Sequence, residues 1–240
     1  MSGHSKWATI KRAKGAADLK RGLTFTKISN AITIAVKTSG GISDPNSNFK
    51  LRLAVDAART ANMPKENIER AIQKALGKDA GELQEVIYEG FAPEGVSVII
   101  EAATDNNLRT TSEIKSVFNK EGGNFGQPGS VAYQFESKGE ITLPKDGKTL
   151  DQIFEAAVES GAEDVLESED NFIVYTVPTD LAKISGILKE KGFAIKEAGL
   201  IRKPVVEMPI EDPEKIEKVM NFLGKLEELD DVQKVYSNLA

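Results

Sequence analysis

Apolar positions along the 240-residue chain recur with a helical period up to about residue 80 and alternate between helix and strand beyond it. In the first stretch Phe25, Ile28, Ile32, Ala35 and Val36 share one helical face, and Ser39-Gly40-Gly41 ends the run. Ser43-Asp44-Pro45-Asn46 is rich in turn-forming residues. A second helix carries Leu51, Ala54, Val55 and Ala58 and should stop before Pro64, because proline disfavours helix at the preceding residue. A third places Ile68, Ala71, Ile72, Ala75 and Leu76 on one stripe, with Gly77 as its cap. The expected product is a small helical bundle.

Beyond a hinge at Lys78-Asp79-Ala80-Gly81, residues 96–103 read as strand, 108–121 as helix and 131–135 as strand. The stretch 136–203 then holds a complete βαββαβ pattern: strand 139–143, helix 149–160, strands 163–167 and 171–177, helix Thr179–Lys191 and strand 193–198. The helix at 149–160 opens with Thr149 and Gln152, the spacing of a capping box, and sets Leu150, Ile153, Phe154, Ala157 and Val158 in register. The tail offers strand 205–208, a helix through Ile216, Val219, Met220 and Leu223, and strand 232–236. Each of the two flanking βαβ halves lacks a partner, so joining them gives a second βαββαβ unit. Val177-Pro178 ahead of Lys183-Ile184 echoes Met208-Pro209 ahead of Lys215-Ile216. The expected fold class is α+β: an N-terminal helical bundle plus two ferredoxin-like βαββαβ domains, one inserted in the other. Their expected bounds are 1–80, 81–135 with 204–240, and the insert 136–203.

Composition narrows the chemistry. The chain has no cysteine and a single histidine, which excludes disulfides, thiolate catalysis and multi-histidine metal centres. No apolar run approaches the roughly 18 residues of a membrane helix. The basic N-terminus is not followed by an apolar core of about 7–15 residues, so no secretory signal is expected and the cytoplasm is the expected compartment. No histidine other than His4 can serve a nucleophile–base pair, and no carboxylate pair stands out. The pattern is not that of an enzyme, and no cofactor is expected.

The net charge of −6 conceals an asymmetry. Residues 1–80 hold 15 lysines and arginines against 6 acids, whereas the remainder holds 16 against 31. Segregation of this kind points to a polyanionic partner for the basic part. Within residues 1–40, Lys6, Lys11, Arg12, Lys14, Lys20, Arg21, Lys27 and Lys37 face one acid, Asp18. Ala13, Gly15, Ala16 and Ala17 leave room for close approach of a phosphate backbone. If about six of these cations met duplex phosphates, log affinity would fall against log salt with a slope of roughly −5. Trp7, the only tryptophan, is suited to stack on an exposed base, and equally suited to pin the segment to its own domain together with Ile10.

Other motifs fall short. Gly147-Lys148-Thr149 lacks the glycine five residues earlier that a phosphate-binding P-loop requires; Thr142 stands there. Lys191-Gly192-Phe193-Ala194 opens like an RNA-recognition signature and then breaks it at Ile195. The loop Gly122-Gly123-Asn124-Phe125-Gly126-Gln127-Pro128-Gly129 has amides that could bind an anion, although a helix cap and tight turn over Phe125 account for it better. The acidic run Glu163, Asp164, Glu167, Glu169, Asp170 has no cation-binding pattern and reads as a solvated face.

Gly-His-Ser-Lys-Trp at 3–7, Lys20-Arg21-Gly22, Phe25-Thr26-Lys27-Ile28, Asn62-Met63-Pro64, Ile68-Glu69-Arg70-Ala71-Ile72, Tyr88-Glu89-Gly90 and Gly129-Ser130-Val131-Ala132-Tyr133 together resemble the YebC family. The resemblance runs over nearly the whole chain. It implies three domains with the helical one first, no enzymatic activity, and a cytoplasmic bacterial or organellar protein. Members are commonly labelled probable DNA-binding transcriptional regulators; mitochondrial relatives are translational activators and bacterial ones have been linked to the ribosome. The matching residues implied at a nucleic-acid contact are Lys6, Trp7, Lys20, Arg21 and Lys27, to which the charge pattern adds Lys11, Arg12 and Lys14. Where the family usually has Arg-Glu after its Phe-Thr-Lys motif, this chain has Asn30-Ala31 and lacks one basic contact.

The expected function is a non-enzymatic, nucleic-acid-binding regulator of gene expression, with DNA or ribosomal RNA as partner and no membrane or obligatory small molecule. A DNA regulator would aim a recognition helix at base edges, and the third helix offers Asn67, Arg70, Gln73 and Lys74. A ribosome-directed factor needs an electropositive arm and acidic domains that avoid further RNA, which fits the charge split better. The competing class is a small-molecule sensor binding between paired ferredoxin-like domains.

Overall fold

A computed structural model describes residues 19–77 and 83–240, with the side chains of the first helix described from Gly22 onward. The architecture is α+β. Two compact units divide it: residues 136–203 form one, and the remaining described residues form the other.

Helix α1 (Leu19–Thr38), α2 (Phe49–Thr60) and α3 (Lys65–Leu76) make the bundle. Its core joins Ile32, Ala35 and Val36 to Leu51, Val55 and Ala58 and to Ile68, Ala71 and Ala75, with Phe25 and Ile28 packed at its margin. Gly40 and Gly41, both at positive φ, stop α1, and the Gly41 N–H donates to Val36 O at 2.9 Å. Asn48 then does two jobs. Its Oδ1 accepts the Leu51 N–H at 3.0 Å, capping α2, while its buried Nδ2 donates to Ala35 O and Ile42 O, each at 2.9 Å. One side chain thereby holds the end of α1 against the start of α2.

The same unit contains a four-stranded sheet. Strands β1 (Gln84–Phe91) and β2 (Ser97–Thr104) pair antiparallel, α4 (Asn107–Glu121) follows, and β3 (Asn124–Phe125) pairs antiparallel with β1. After residues 136–203, α7 (Pro213–Glu227) leads into β8 (Val232–Ser237), which pairs antiparallel with β2. The order is β3-β1-β2-β8. Ile114 and Phe118 of α4 and Val219, Phe222, Leu223 and Leu226 of α7 cover one face, over Tyr88, Val98, Ile100, Val232 and Val235. The Phe118 ring meets Phe222 edge-on at 5.0 Å between centroids. Gly90 and Gly123 are required by these rings. A Cβ on Gly90 would lie 2.5 Å from the Phe118 ring, and one on Gly123 would lie 2.7 Å from Phe222.

Inside residues 136–203 and their immediate edges lie β4 (Phe135–Pro144), α5 (Leu150–Ser160), β5 (Asp164–Glu167), β6 (Asn171–Thr176), α6 (Leu181–Glu190) and β7 (Glu197–Pro204), in sheet order β5-β6-β4-β7. All six residues of the inner strand β6 are buried. The Thr149 hydroxyl accepts the Gln152 N–H, and Gln152 Oε1 accepts the Thr149 N–H, so the capping box at the start of α5 is formed.

The second sheet has the strand order of a βαββαβ unit, whereas in the first the inner strands β1 and β2 are consecutive, so it departs from the βαββαβ connectivity expected from the sequence. Residues 132–134 form a 3₁₀ turn, and residues 205–208 contribute a lone bridge between Met208 and Leu239. In their place stand β1 and β3, which the apolar pattern did not reveal. Val131 and Phe135 are buried together beside Ile99, but Tyr133, which a strand would place on the same face, is 75% exposed. In β1 the alternation is masked because Glu89, a charged residue, faces inward and is 6% exposed. A second difference concerns α5. Ile153, Ala156 and Ala157 are buried, while Leu150, Phe154 and Val158 remain exposed.

Candidate nucleic-acid interface

Of the basic residues picked out by sequence, Lys6, Lys11, Arg12 and Lys14, together with Trp7, lie outside the described residues. Lys20 and Arg21 fall in the first turn of α1, their side chains outside the description. Lys27 is described. Its Nζ donates to the backbone carbonyl of Glu227 in the last turn of α7. A helix C-terminus presents unpaired carbonyls and partial negative charge, so an ammonium is well placed there. In the last turn of α1, Lys37 Nζ donates to Leu83 O at 2.9 Å, just before β1. Both lysines therefore join the bundle to the first sheet, where α1 packs against β2 and β8.

Helix α3 presents a different surface. Its apolar stripe faces the bundle core, leaving Arg70, Gln73 and Lys74 exposed on neighbouring positions of one face. Neither Arg70 nor Lys74 forms an ion pair among the described residues, whereas nearby Lys65 pairs with Glu69 at 3.5 Å and Arg59 with Asp56 at 3.2 Å. Asn67 is half-buried. Arg70 and Lys74 of α3 are thus available to an external anion, whereas Lys27 and Lys37 of α1 engage the fold itself.

The last glycine of the glycine-rich loop, Gly129, and the two amides of Val131 and Ala132 beyond it do hold an anion, and that anion is internal. Glu89 on β1 accepts the N–H groups of Gly129 at 2.7 Å and of Val131 and Ala132 at 2.8 Å. Burial alone would raise this carboxyl, but the three amides more than offset it and hold Glu89 below the usual carboxylate range. Gly122, at positive φ, caps α4, and Phe125 tucks against Phe118 at 5.6 Å. With its amides taken, this loop is a structural clasp.

Sequence reasoning missed a second buried carboxylate, Asp231, ahead of β8. Its Oδ2 accepts from the Thr110 hydroxyl at 2.6 Å, Arg109 Nη2 at 2.8 Å and the Thr104 hydroxyl at 3.2 Å. Burial pushes Asp231 up, while these donors and the guanidinium charge bring it below its ordinary value. Arg109 also pairs with Asp105, and Asn106 caps α4 through the Arg109 N–H. Nothing in the local pattern Leu229-Asp230-Asp231-Val232 distinguishes one aspartate from the other; Asp231 is selected by tertiary contact alone.

Among the described residues, no group of three His, Cys, Asp or Glu side chains could hold a metal ion. In the acidic run, Glu163 pairs with Lys138 at 2.9 Å and Glu167 with Lys145 at 2.7 Å. No described helix is long and apolar enough to cross a membrane.

Fold and site together define a class: a helical bundle joined to a four-stranded antiparallel sheet whose buried carboxylates serve the fold, with a second four-stranded sheet inserted in the sequence. Comparison with known proteins places it further. A model described as the N-terminal domain of TACO1/YebC proteins matches residues 5–78, and one described as their second and third domain matches residues 83–239. The chain belongs to the TACO1/YebC family. It is 47% identical over 240 residues to a probable transcriptional regulatory protein of Persephonella marina, covering 99% of this chain and 95% of that one. It is 48% identical over 240 residues to a protein of the same name from Treponema denticola, covering 100% and 96%. The crystal structure of a conserved hypothetical protein from Aquifex aeolicus matches with a TM-score of 0.89 at 45% identity, covering 98% of this chain and 97% of that one.

Proposed function

We propose that this protein is a non-enzymatic cytoplasmic regulator of gene expression that binds nucleic acid through its basic N-terminal domain, RNA within the ribosome being the favoured target. The observation that carries the reading is the charge division. Residues 1–80 have 15 basic against 6 acidic side chains, whereas residues 136–203 have 9 against 14. A surface that attracts phosphate and one that repels it are thus held on one chain. The exposed Arg70 and Lys74 of α3 add two cations that make no ion pair among the described residues, with Gln73 beside them. In this reading residues 1–80 are the contact domain, and 81–135 with 204–240 and the insert 136–203 are rigid bodies that orient it. The relatives' name, probable transcriptional regulatory protein, supports a regulatory role.

Fluorescence anisotropy with labelled RNA and duplex DNA tests this directly. Reversing charge in the triple variant Lys11→Glu, Arg12→Glu, Lys14→Glu should weaken binding and flatten the duplex salt slope from about −5 to about −2, since each lost phosphate contact removes about 0.9. Equal affinity and slope in the variant would refute the assignment.

A further inference from the structure

Helix α5 carries a surface that the fold does not use. Its core face is Ile153, Ala156, Ala157 and Ser160. The adjoining ridge, Leu150, Phe154 and Val158, repeats every four residues and is 37%, 51% and 52% exposed. Lone exposed apolar side chains are ordinary, but three in succession along one helix make a continuous strip. The ridge beside it is Asp151, Glu155 and Glu159. The Glu159 carboxylate is engaged by Lys191, whereas Asp151 and Glu155 form no ion pair among the described residues. Other acids of this unit, Glu163 and Glu167, have lysine partners. Helix α5 itself contains no lysine or arginine.

We propose that this strip is a docking surface for a basic amphipathic helix of another protein, whose apolar positions pack on Leu150, Phe154 and Val158 while its lysines or arginines pair with Asp151 and Glu155. The apolar ridge supplies burial and the acidic ridge supplies orientation and choice of partner. Charge decides against other occupants. A second copy laid antiparallel on α5 would set acidic ridge beside acidic ridge, and a phosphate backbone or anionic lipid surface would meet uncompensated carboxylates. The proposal is independent of the nucleic-acid reading, because residues 6–27 and α3 take no part in it.

The test uses the full-length protein and two synthetic helical peptides with the same leucines at positions i, i+4 and i+8, one flanked by lysines and the other by glutamates. Titration followed by amide chemical shifts should show the lysine peptide perturbing residues of α5 and the glutamate peptide leaving them unmoved. Phe154→Ala and the pair Asp151→Lys, Glu155→Lys should each weaken the lysine peptide at least tenfold. All three positions are solvent-facing, so the variants should keep wild-type spectra elsewhere. The variant with reversed charge at Lys11, Arg12 and Lys14 should bind the lysine peptide as wild type does, which separates this result from that of the nucleic-acid assay. Perturbation outside α5, or equal binding by the α5 variants, would overturn the proposal. So would a wild-type dimer in sedimentation equilibrium that Phe154→Ala dissociates, or α5-dependent binding to phosphatidylserine vesicles.

Discussion

The two four-stranded sheets differ in strand order and in how the chain supplies their strands: the inner pair is consecutive in one, β1 and β2, and separated by an edge strand in the other, β4 and β6. In β5-β6-β4-β7 every strand comes from one continuous stretch, and Glu163 and Glu167 lie at its surface, paired with Lys138 and Lys145. In β3-β1-β2-β8 the strands come from both sides of the insert, and two buried carboxylates fasten them. Glu89 ties β1 to the segment 129–132, and Asp231 ties the start of β8 to the junction of β2 and α4. A continuous unit can be specified by apolar periodicity. A discontinuous one also needs contacts that reject wrong pairings, and a carboxylate that only fixed donors can satisfy provides that discrimination.

That comparison can be broken by substitution, with the largest effect at Glu89. Glu89→Gln removes a charge held by three amides and presents an amide N–H to donors; unfolding in urea should show a loss of about 3 kcal/mol in the unit containing β1. If the stability of that unit is unchanged, the clasp has no role. Gly90→Ala should cost about 2 kcal/mol by forcing the Phe118 ring aside, in the range of overpacked cores. A smaller loss would mean that the ring moves freely.

Acid provides a graded version of the same contrast. Glu89 and Asp231 both have lowered folded-state pKa values. Their contribution is therefore present above the unfolded carboxyl range near pH 4 and is lost as pH falls through the folded values. Hydrogen exchange at decreasing pH should release β1, β2 and β8 before β6, and Asp231→Asn should reduce the pH dependence. The smallest effect is expected in the continuous sheet. Glu167→Gln, which removes a half-exposed pair with Lys145, should change stability by about 0.5 kcal/mol or less. A cost equal to that at Glu89 would erase the distinction between the sheets.

The same contrast explains what was legible in the sequence. The bundle and residues 136–203 could be read because their apolar residues repeat within single elements: Ile32, Leu51 and Ile68 in the former, Ile153 and Ile184 in the latter. Strand β1 was hidden because Glu89 occupies an inward position that pattern reading reserves for apolar residues. Val131 to Phe135 has strand-like composition, yet Tyr133 between them is exposed and the Val131 and Ala132 amides serve Glu89. On α5 the apolar stripe was correct in period and too wide, since only the face centred on Ile153 and Ala157 is covered. At the candidate interface, the family and the concentration of basic residues were readable. That Lys27 is held by the end of α7 and Lys37 by Leu83 was not, because both partners are remote in sequence.

The proposed partner of the basic N-terminal domain is ribosomal RNA. Sedimentation with purified ribosomes at physiological salt, under excess duplex DNA, tests it most directly. The wild-type protein should travel with the ribosomes despite the DNA, and the variant reversed at Lys11, Arg12 and Lys14 should stay in the supernatant. Release of the wild-type protein by DNA, or equal pelleting of the variant, would contradict the claim.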